Sequence, residues 1–130
     1  MKNLANIDCW IFDLDNTLYP ASTDLFAQVC EKMSTYIANT LNVDKAIADK
    51  MRFEYWQKYG TSLAGLMKNF KIDPDHFLEI VHNIDFSVLS KDPKLLNALE
   101  ELPGRKIVYT NGTASYAREV LKYLGLADCL

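Results

Sequence analysis

The chain has 130 residues, 49% of them apolar and 24% charged, with a formal net charge of −3. That is ordinary globular composition, enough for one or two small units, and its acidic balance speaks against a general polyanion binder. No long run of like charges marks a nucleic-acid or membrane tail.

Met1 to Asp8 contains a single Lys and no long apolar stretch, so it reads as neither a secretory signal nor a membrane span, and cytoplasm is the default location. The three cysteines, Cys9, Cys30 and Cys129, form no C-x-x-C or zinc spacing and read as buried or incidental thiols in a reducing compartment. His76 and His82 lack the i, i+4 spacing of a helical metal pair and read as surface or cap contacts.

Taken in order, Ile7 to Phe12 predicts a first strand, broken only at Asp8, that runs into Asp13-Leu14-Asp15-Asn16-Thr17-Leu18. Alternate residues of a strand share a face, so the spacing lets Asp13 and Asp15 present two carboxylates to one spot. Like charges held close resist joint ionisation. Such a pair can divide into a nucleophile and an acid–base, or be neutralised together by a divalent cation. A solvated strand end, with Asn16 and Thr17 making the turn, fits the same short string.

Pro20 ends this loop, and four helices follow. From about Ala21 to Leu41, apolar residues recur at three and four, with Ser22 or Thr23 as cap. A second helix runs from about Val43 to Tyr59 and stops at Gly60; a third spans Thr61 to Phe70; a fourth opens at Asp73-Pro74 and continues through Val81. Four helices without an intervening strand read as an inserted all-α module. Ile84 to Leu89 predicts a short extended return, Asp92-Pro93 opens a helix ending near Leu102, and Pro103-Gly104 signals a turn.

Ile107-Val108-Tyr109 predicts a second strand, followed by Thr110-Asn111-Gly112 and a helix from Thr113 to Leu124 that stops at Gly125. A hydroxyl beside N–H groups at a helix start is an anion site, and glycine lets the backbone approach closely. Asn-Gly is also the commonest hairpin dipeptide, so a hairpin turn fits these three residues too.

Phe12-Asp13-Leu14-Asp15-Asn16-Thr17-Leu18-Tyr19-Pro20 resembles the first motif of the haloacid dehalogenase-like hydrolase superfamily, in particular its pyrimidine 5′-nucleotidase branch. Thr110-Asn111-Gly112 resembles the second motif, and Tyr55 to Leu66 and Leu102 to Lys106 are similar to the same branch. The resemblance implies an α/β fold: a Rossmann-like core of residues 1–18 and 86–130 with a partial parallel sheet, and a helical cap of residues 19–85. It implies an aspartyl-phosphate on Asp13, Asp15 as acid–base, and phosphate bound by Thr110 and Asn111. Mg²⁺ would be held by the Asp13 carboxylate and the Asp15 carbonyl, screening charge during phosphoryl transfer.

The substrate so implied is a small phosphate monoester, a pyrimidine nucleoside 5′-monophosphate, with neither nucleic acid nor membrane as partner. Tyr55 and Tyr59 stand at i, i+4 and serve either as a base-stacking platform or as cap core. Enzymes of this kind also carry a later Lys that neutralises the phosphate and a later acidic motif that completes the metal site. Neither Lys122 nor Asp128 is in the right element for those roles. The expectation is therefore an incomplete form of weak or no turnover, either a piece of a longer product or a short relative that completes itself as a homodimer. Two other classes stay open: a non-catalytic phosphate- or nucleotide-binding module, and a haloacid dehalogenase, which needs neither a metal nor the second acid, so that Asp15 speaks against it.

Overall fold

A computed structural model of the chain describes residues 4–130. Residues 1–3, the start of the segment read as neither signal nor span, lie outside the described residues. Six α-helices and a two-stranded parallel sheet make up the regular structure among the described residues, an α/β arrangement dominated by helix. None of these helices is long and apolar enough to cross a membrane. The chain divides into two compact units, Met1–Leu25 with Asp85–Leu130, and Phe26–Ile84.

In the first unit, β1 (Cys9–Phe12) pairs in parallel with β2 (Arg105–Val108), Cys9 opposite Arg105 and Phe12 opposite Val108. The strand is shorter than the Ile7 to Phe12 run predicts. A 3-10 turn at Leu4–Asn6 draws the Ile7 N–H back to the Leu4 carbonyl, at 3.3 Å, and pairing begins only at the Asp8 carbonyl, which accepts from Arg105 N–H at 2.9 Å. Tyr109, expected within the second strand, lies one residue past it, although its N–H still bonds to the Phe12 carbonyl at 2.8 Å.

Gly104 makes the turn into β2 at φ +85°, and a Cβ there would sit 2.5 Å from the Asp8 carbonyl oxygen. Only glycine meets both demands. The Trp10 indole N–H donates to the Pro103 carbonyl at 2.7 Å and pins the same turn. On the sheet, Cys9, Ile11, Arg105 and Ile107 form an exposed row, while Trp10, Phe12, Lys106 and Val108 are half-buried.

The segment from Ala21 is not helical from its start. Ala21–Thr23 close a 3-10 turn on Asp24, which takes a left-handed φ of 60°, so that α1 (Leu25–Leu41) begins at Leu25. The Ile84 to Leu89 segment is not extended either. Asp85 accepts from both the N–H and the hydroxyl of Ser87, at 2.9 and 2.6 Å, and this local bonding curls Phe86–Val88 into a 3-10 turn. The same two donors hold the Asp85 carboxyl below the usual carboxylate range. Phe86 then packs on Tyr116 and stacks on Tyr123, with ring centres 5.9 and 5.8 Å apart.

α5 (Pro93–Glu101) is capped by Asp92, which accepts from Leu95 N–H, and α6 (Ala114–Leu124) by Thr113, which accepts from Tyr116 N–H. Thr113 follows Gly112 directly, so the Asn-Gly pair leads into a helix and not into a hairpin. α6 buries Tyr116, Ala117, Val120, Leu121 and Leu124, a stripe at helical spacing, and ends at Gly125 with φ +74°.

The second unit contains most of α1 with α2 (Lys45–Tyr59), α3 (Ser62–Asn69) and α4 (Pro74–Val81). From α2 onward its stops and caps are those the sequence implies: Gly60 ends α2 at φ +90°, Thr61 caps α3, and Asp73 with Pro74 opens α4. Val29, Ile37, Ala48, Leu66, Phe77 and Val81 form its buried core, with the Tyr36 ring edge-on to Phe77 at 5.0 Å. Tyr55 and Tyr59 also meet edge-on, at 79°, and Asn69 donates to the Tyr59 hydroxyl. Tyr55 is half-buried, and its side chain lies close against Gly65. His76 sits on α4 beside the Tyr36 hydroxyl, and His82 is the residue that closes that helix's end.

Candidate active site

Asp13 is the first residue past β1, and Thr110 is the second past β2. Parallel neighbours lie about 4.8 Å apart, so both residues leave adjacent strands at their carboxyl ends, where open α/β sheets bind ligands. The loop between Asp13 and Tyr19 is tightly wound. The N–H groups of Thr17 and Leu18 both return to the Leu14 carbonyl, at 3.2 and 3.0 Å, and Asn16 supplies the left-handed residue at φ 57°. Leu14, Leu18 and Tyr19 are buried beneath it, so the loop is anchored on its apolar residues while Asp13 stays exposed.

Strand alternation is not what orients the two acids, because β1 stops before either of them. Each carboxylate is instead held by its own hydroxyls. The Thr17 hydroxyl donates to Asp13 Oδ2 at 2.9 Å. Asp15 Oδ1 accepts two phenolic hydrogens, from Tyr19 and from Tyr116, each at 2.6 Å.

Both phenols are almost fully buried, at 2% and 3% exposure. Burial is the larger cause that pushes each hydroxyl well above the ordinary tyrosine range, and the hydrogen bond to Asp15 adds to it. Both tyrosines therefore remain protonated donors. Neither was singled out from sequence for this role: Tyr19 belongs to the motif string, and Tyr116 falls within the helix expected from Thr113 to Leu124. The available signal was position, since Tyr116 falls three residues after the Thr113 cap, on the first turn above the strand ends.

The Thr110 hydroxyl oxygen accepts from Gly112 N–H at 3.1 Å, and this turn brings the chain onto α6. Gly112 lies against Tyr116: a Cβ at Gly112 would come within 2.9 Å of Tyr116 Cδ1 and 3.5 Å of Thr110 Oγ1. Thr110, Gly112, Tyr116 and Asp15 are thus joined by successive contacts, with Asn111 exposed at the tip of the loop. A cavity of about 400 Å³ opens on the α6 side of Thr110, walled by Val108, Tyr109, Gly112, Arg118, Leu121 and Leu130 among others; neither Asp13 nor Asp15 lines it.

Mg²⁺ binds through one or two carboxylates plus water and substrate phosphate, and not in a closed protein cage. Of the two donors the resemblance implies, the Asp13 carboxylate is exposed and so open to a cation that keeps its waters. No group of three or more His, Cys, Asp or Glu is placed to hold a metal among the described residues.

No family model matches the chain. It is similar to Phosphate metabolism protein 8 of Saccharomyces cerevisiae, at 33% identity over 131 residues, which takes in 92% of this chain and 40% of that protein. The chain therefore spans well under half the length of that relative.

Proposed function

We propose that the chain is part of a Mg²⁺-dependent phosphomonoester hydrolase of the haloacid dehalogenase-like superfamily, pyrimidine 5′-nucleotidase branch, working through an aspartyl-phosphate on Asp13. The observation that carries this reading is the pairing of two loops. Asp13 and Asp15 leave β1 beside the parallel strand that feeds Thr110-Asn111-Gly112 into α6. The relative's printed name, which refers to phosphate metabolism, supports phosphate chemistry in general terms. The substrate class, a pyrimidine nucleoside 5′-monophosphate, rests on the likeness of the motif strings.

In this mechanism the Asp13 carboxylate attacks phosphorus while the Thr17 hydroxyl fixes its orientation. Asp15 gives a proton to the leaving oxygen as the ester P–O bond breaks. It then takes a proton from the water that attacks the aspartyl-phosphate, which releases Asp13 and inorganic phosphate. The Thr110 hydroxyl and the amides at the start of α6 receive the phosphoryl oxygens, using the N–H groups a helix start leaves unpaired. Mg²⁺, held by the Asp13 carboxylate and the Asp15 carbonyl, would neutralise charge on the phosphoryl group.

The test is to incubate the chain with Mg²⁺ and uridine or cytidine 5′-monophosphate, follow phosphate release, and map any phosphoryl label after acid quenching. Label on Asp13 that disappears in Asp13→Asn, with weak or no net phosphate release, is the expected result. Saturable nucleotide binding with neither label nor release would replace this reading with the non-catalytic binding module.

A further inference from the structure

Two buried phenols on one carboxylate oxygen form an arrangement more specific than structural support needs. Tyr19 follows the acidic loop directly, whereas Tyr116 comes from α6, 101 residues away in sequence from the group it bonds. A carboxylate oxygen that accepts two O–H donors has no lone pair left in a favourable direction, and a proton placed there would displace one of them. The other oxygen of Asp15 is the one that can carry a proton while both bonds persist.

We propose that Tyr19 and Tyr116 are positioning residues: they hold Asp15 by Oδ1, so that the proton exchanged with substrate and water moves at Oδ2 alone. This rests on the phosphomonoesterase reading and adds to it which atom of Asp15 reacts and which side chains select it. In the first step Asp15 Oδ2–H gives its proton to the leaving alkoxide oxygen as the ester P–O bond breaks. In the second, Oδ2 accepts a proton from water as the Asp13–phosphoryl bond breaks. Asp15 ends as it began, and the net reaction is ester plus water to alcohol plus phosphate.

The clamp also ties the two site loops together. Tyr116 touches Gly112, whose N–H bonds to Thr110, so the carboxylate and the phosphate-receiving hydroxyl are referenced to one ring. A single bond from Tyr19 would anchor Asp15 only to its own loop. The bond from Tyr116 fixes it relative to β2 and α6.

The test uses the full chain and its Tyr116→Phe and Tyr19→Phe variants, which keep the ring and remove only the hydroxyl. Two substrates are compared: an alkyl phosphate, whose leaving oxygen needs a proton, and p-nitrophenyl phosphate, whose leaving oxygen does not. Each variant is expected to lose about 10- to 100-fold in kcat on the alkyl ester with KM nearly unchanged, and markedly less in aspartyl-phosphate formation from the nitrophenyl ester. Equal losses on both esters, or a loss confined to KM, overturn the proposal.

A second readout does not depend on turnover. The two phenolic protons should appear in NMR spectra as slowly exchanging hydroxyl signals, each assigned by its Tyr→Phe variant, and both should move in Asp15→Asn. Hydroxyl signals indifferent to Asp15→Asn overturn the clamp. Both signals responding in a chain that forms no aspartyl-phosphate from either ester would sink the phosphomonoesterase reading, and the proton-transfer role with it, while the clamp itself stands.

Discussion

Tyr116 on α6 donates its phenolic hydrogen to Asp15 at 2.6 Å across 101 residues of sequence, and it shares that oxygen with Tyr19. Because both phenols are held protonated in the fold, the bonds bear directly on alkaline stability. The folded value of each lies above the ordinary 10.0 that the unfolded chain would show. A raised folded value contributes stability that is fully present below the unfolded one and lost as pH rises past it. Tyr116→Phe removes a part-buried hydrogen bond, about 0.5–1.5 kcal/mol near neutrality. It also removes the ionising phenol from both states. The stability gap between parent and variant should therefore narrow as pH climbs past the ordinary tyrosine value. Denaturant midpoints on either side of that value measure it; a constant gap contradicts the prediction.

Gly112→Ala tests the same assembly from the backbone side. Its Cβ would meet Tyr116 Cδ1 at 2.9 Å, and the ring cannot retreat without lengthening its bond to Asp15. Overpacking of this sort costs about 1–3 kcal/mol. The expected result is a lower unfolding midpoint together with a change in the Tyr116 hydroxyl signal. A variant with an unmoved signal and full stability would show that the loop yields instead.

Much of this organisation can be read from residue order, and the failures share a cause. Caps and stops such as Thr61, Asp73-Pro74, Asp92 and Gly125 are short-range chemistry, and they act where the sequence implies. The extended reading of Ile84 to Leu89 fails because Asp85 bonds to Ser87, a side-chain preference that overrides apolar composition. Alternation across Asp13 and Asp15 fails because β1 ends at Phe12 and side-chain hydroxyls take over. The tyrosine clamp is invisible for a different reason: it needs the register of β1 on β2, a relation between residues about a hundred positions apart, which no local pattern encodes.

In the second unit, two glycines separate packing from backbone conformation. At Gly65 a Cβ would fall 2.5 Å from the Tyr55 side chain, whereas at Gly60, with φ +90°, it would meet nothing within 4 Å. Gly65→Ala must push α3 off α2, with an overpacking cost of about 1–3 kcal/mol. Gly60→Ala carries backbone strain alone, about 1–3 kcal/mol, because φ +90° with ψ −35° lies outside the left-handed helical region. Circular dichroism melts should place both variants below the parent; a Gly65→Ala midpoint equal to the parent's would mean that the Tyr55 side chain gives way freely.

The sheet supplies a contrast between two neighbouring apolar residues. Leu14 is fully buried and Ile11 is 69% exposed, although only three positions separate them. Leu14→Ala should cost about 2–5 kcal/mol by leaving a cavity beneath the acidic loop, whereas Ile11→Thr should stay within about 0.5 kcal/mol. A large loss from Ile11→Thr in urea denaturation would mean that its row on the sheet is covered in solution.

Metal removal distinguishes the two hydrolytic chemistries that Asp13 could serve. Displacement of halide from carbon needs a carboxylate nucleophile but no cation, since the carbon attacked is not surrounded by the anionic oxygens that shield phosphorus. Phosphoryl transfer brings a multiply charged ester against the Asp13 carboxylate, so screening by a divalent ion lowers the barrier. Asp15 also has an acid–base role only where an oxygen leaves. Chelation with EDTA should abolish phosphate release and Asp13 labelling, Mg²⁺ should restore both, and 2-chloropropionate should remain unconsumed under either condition. Chloride release that persists in EDTA and survives Asp15→Asn would assign the site to dehalogenation.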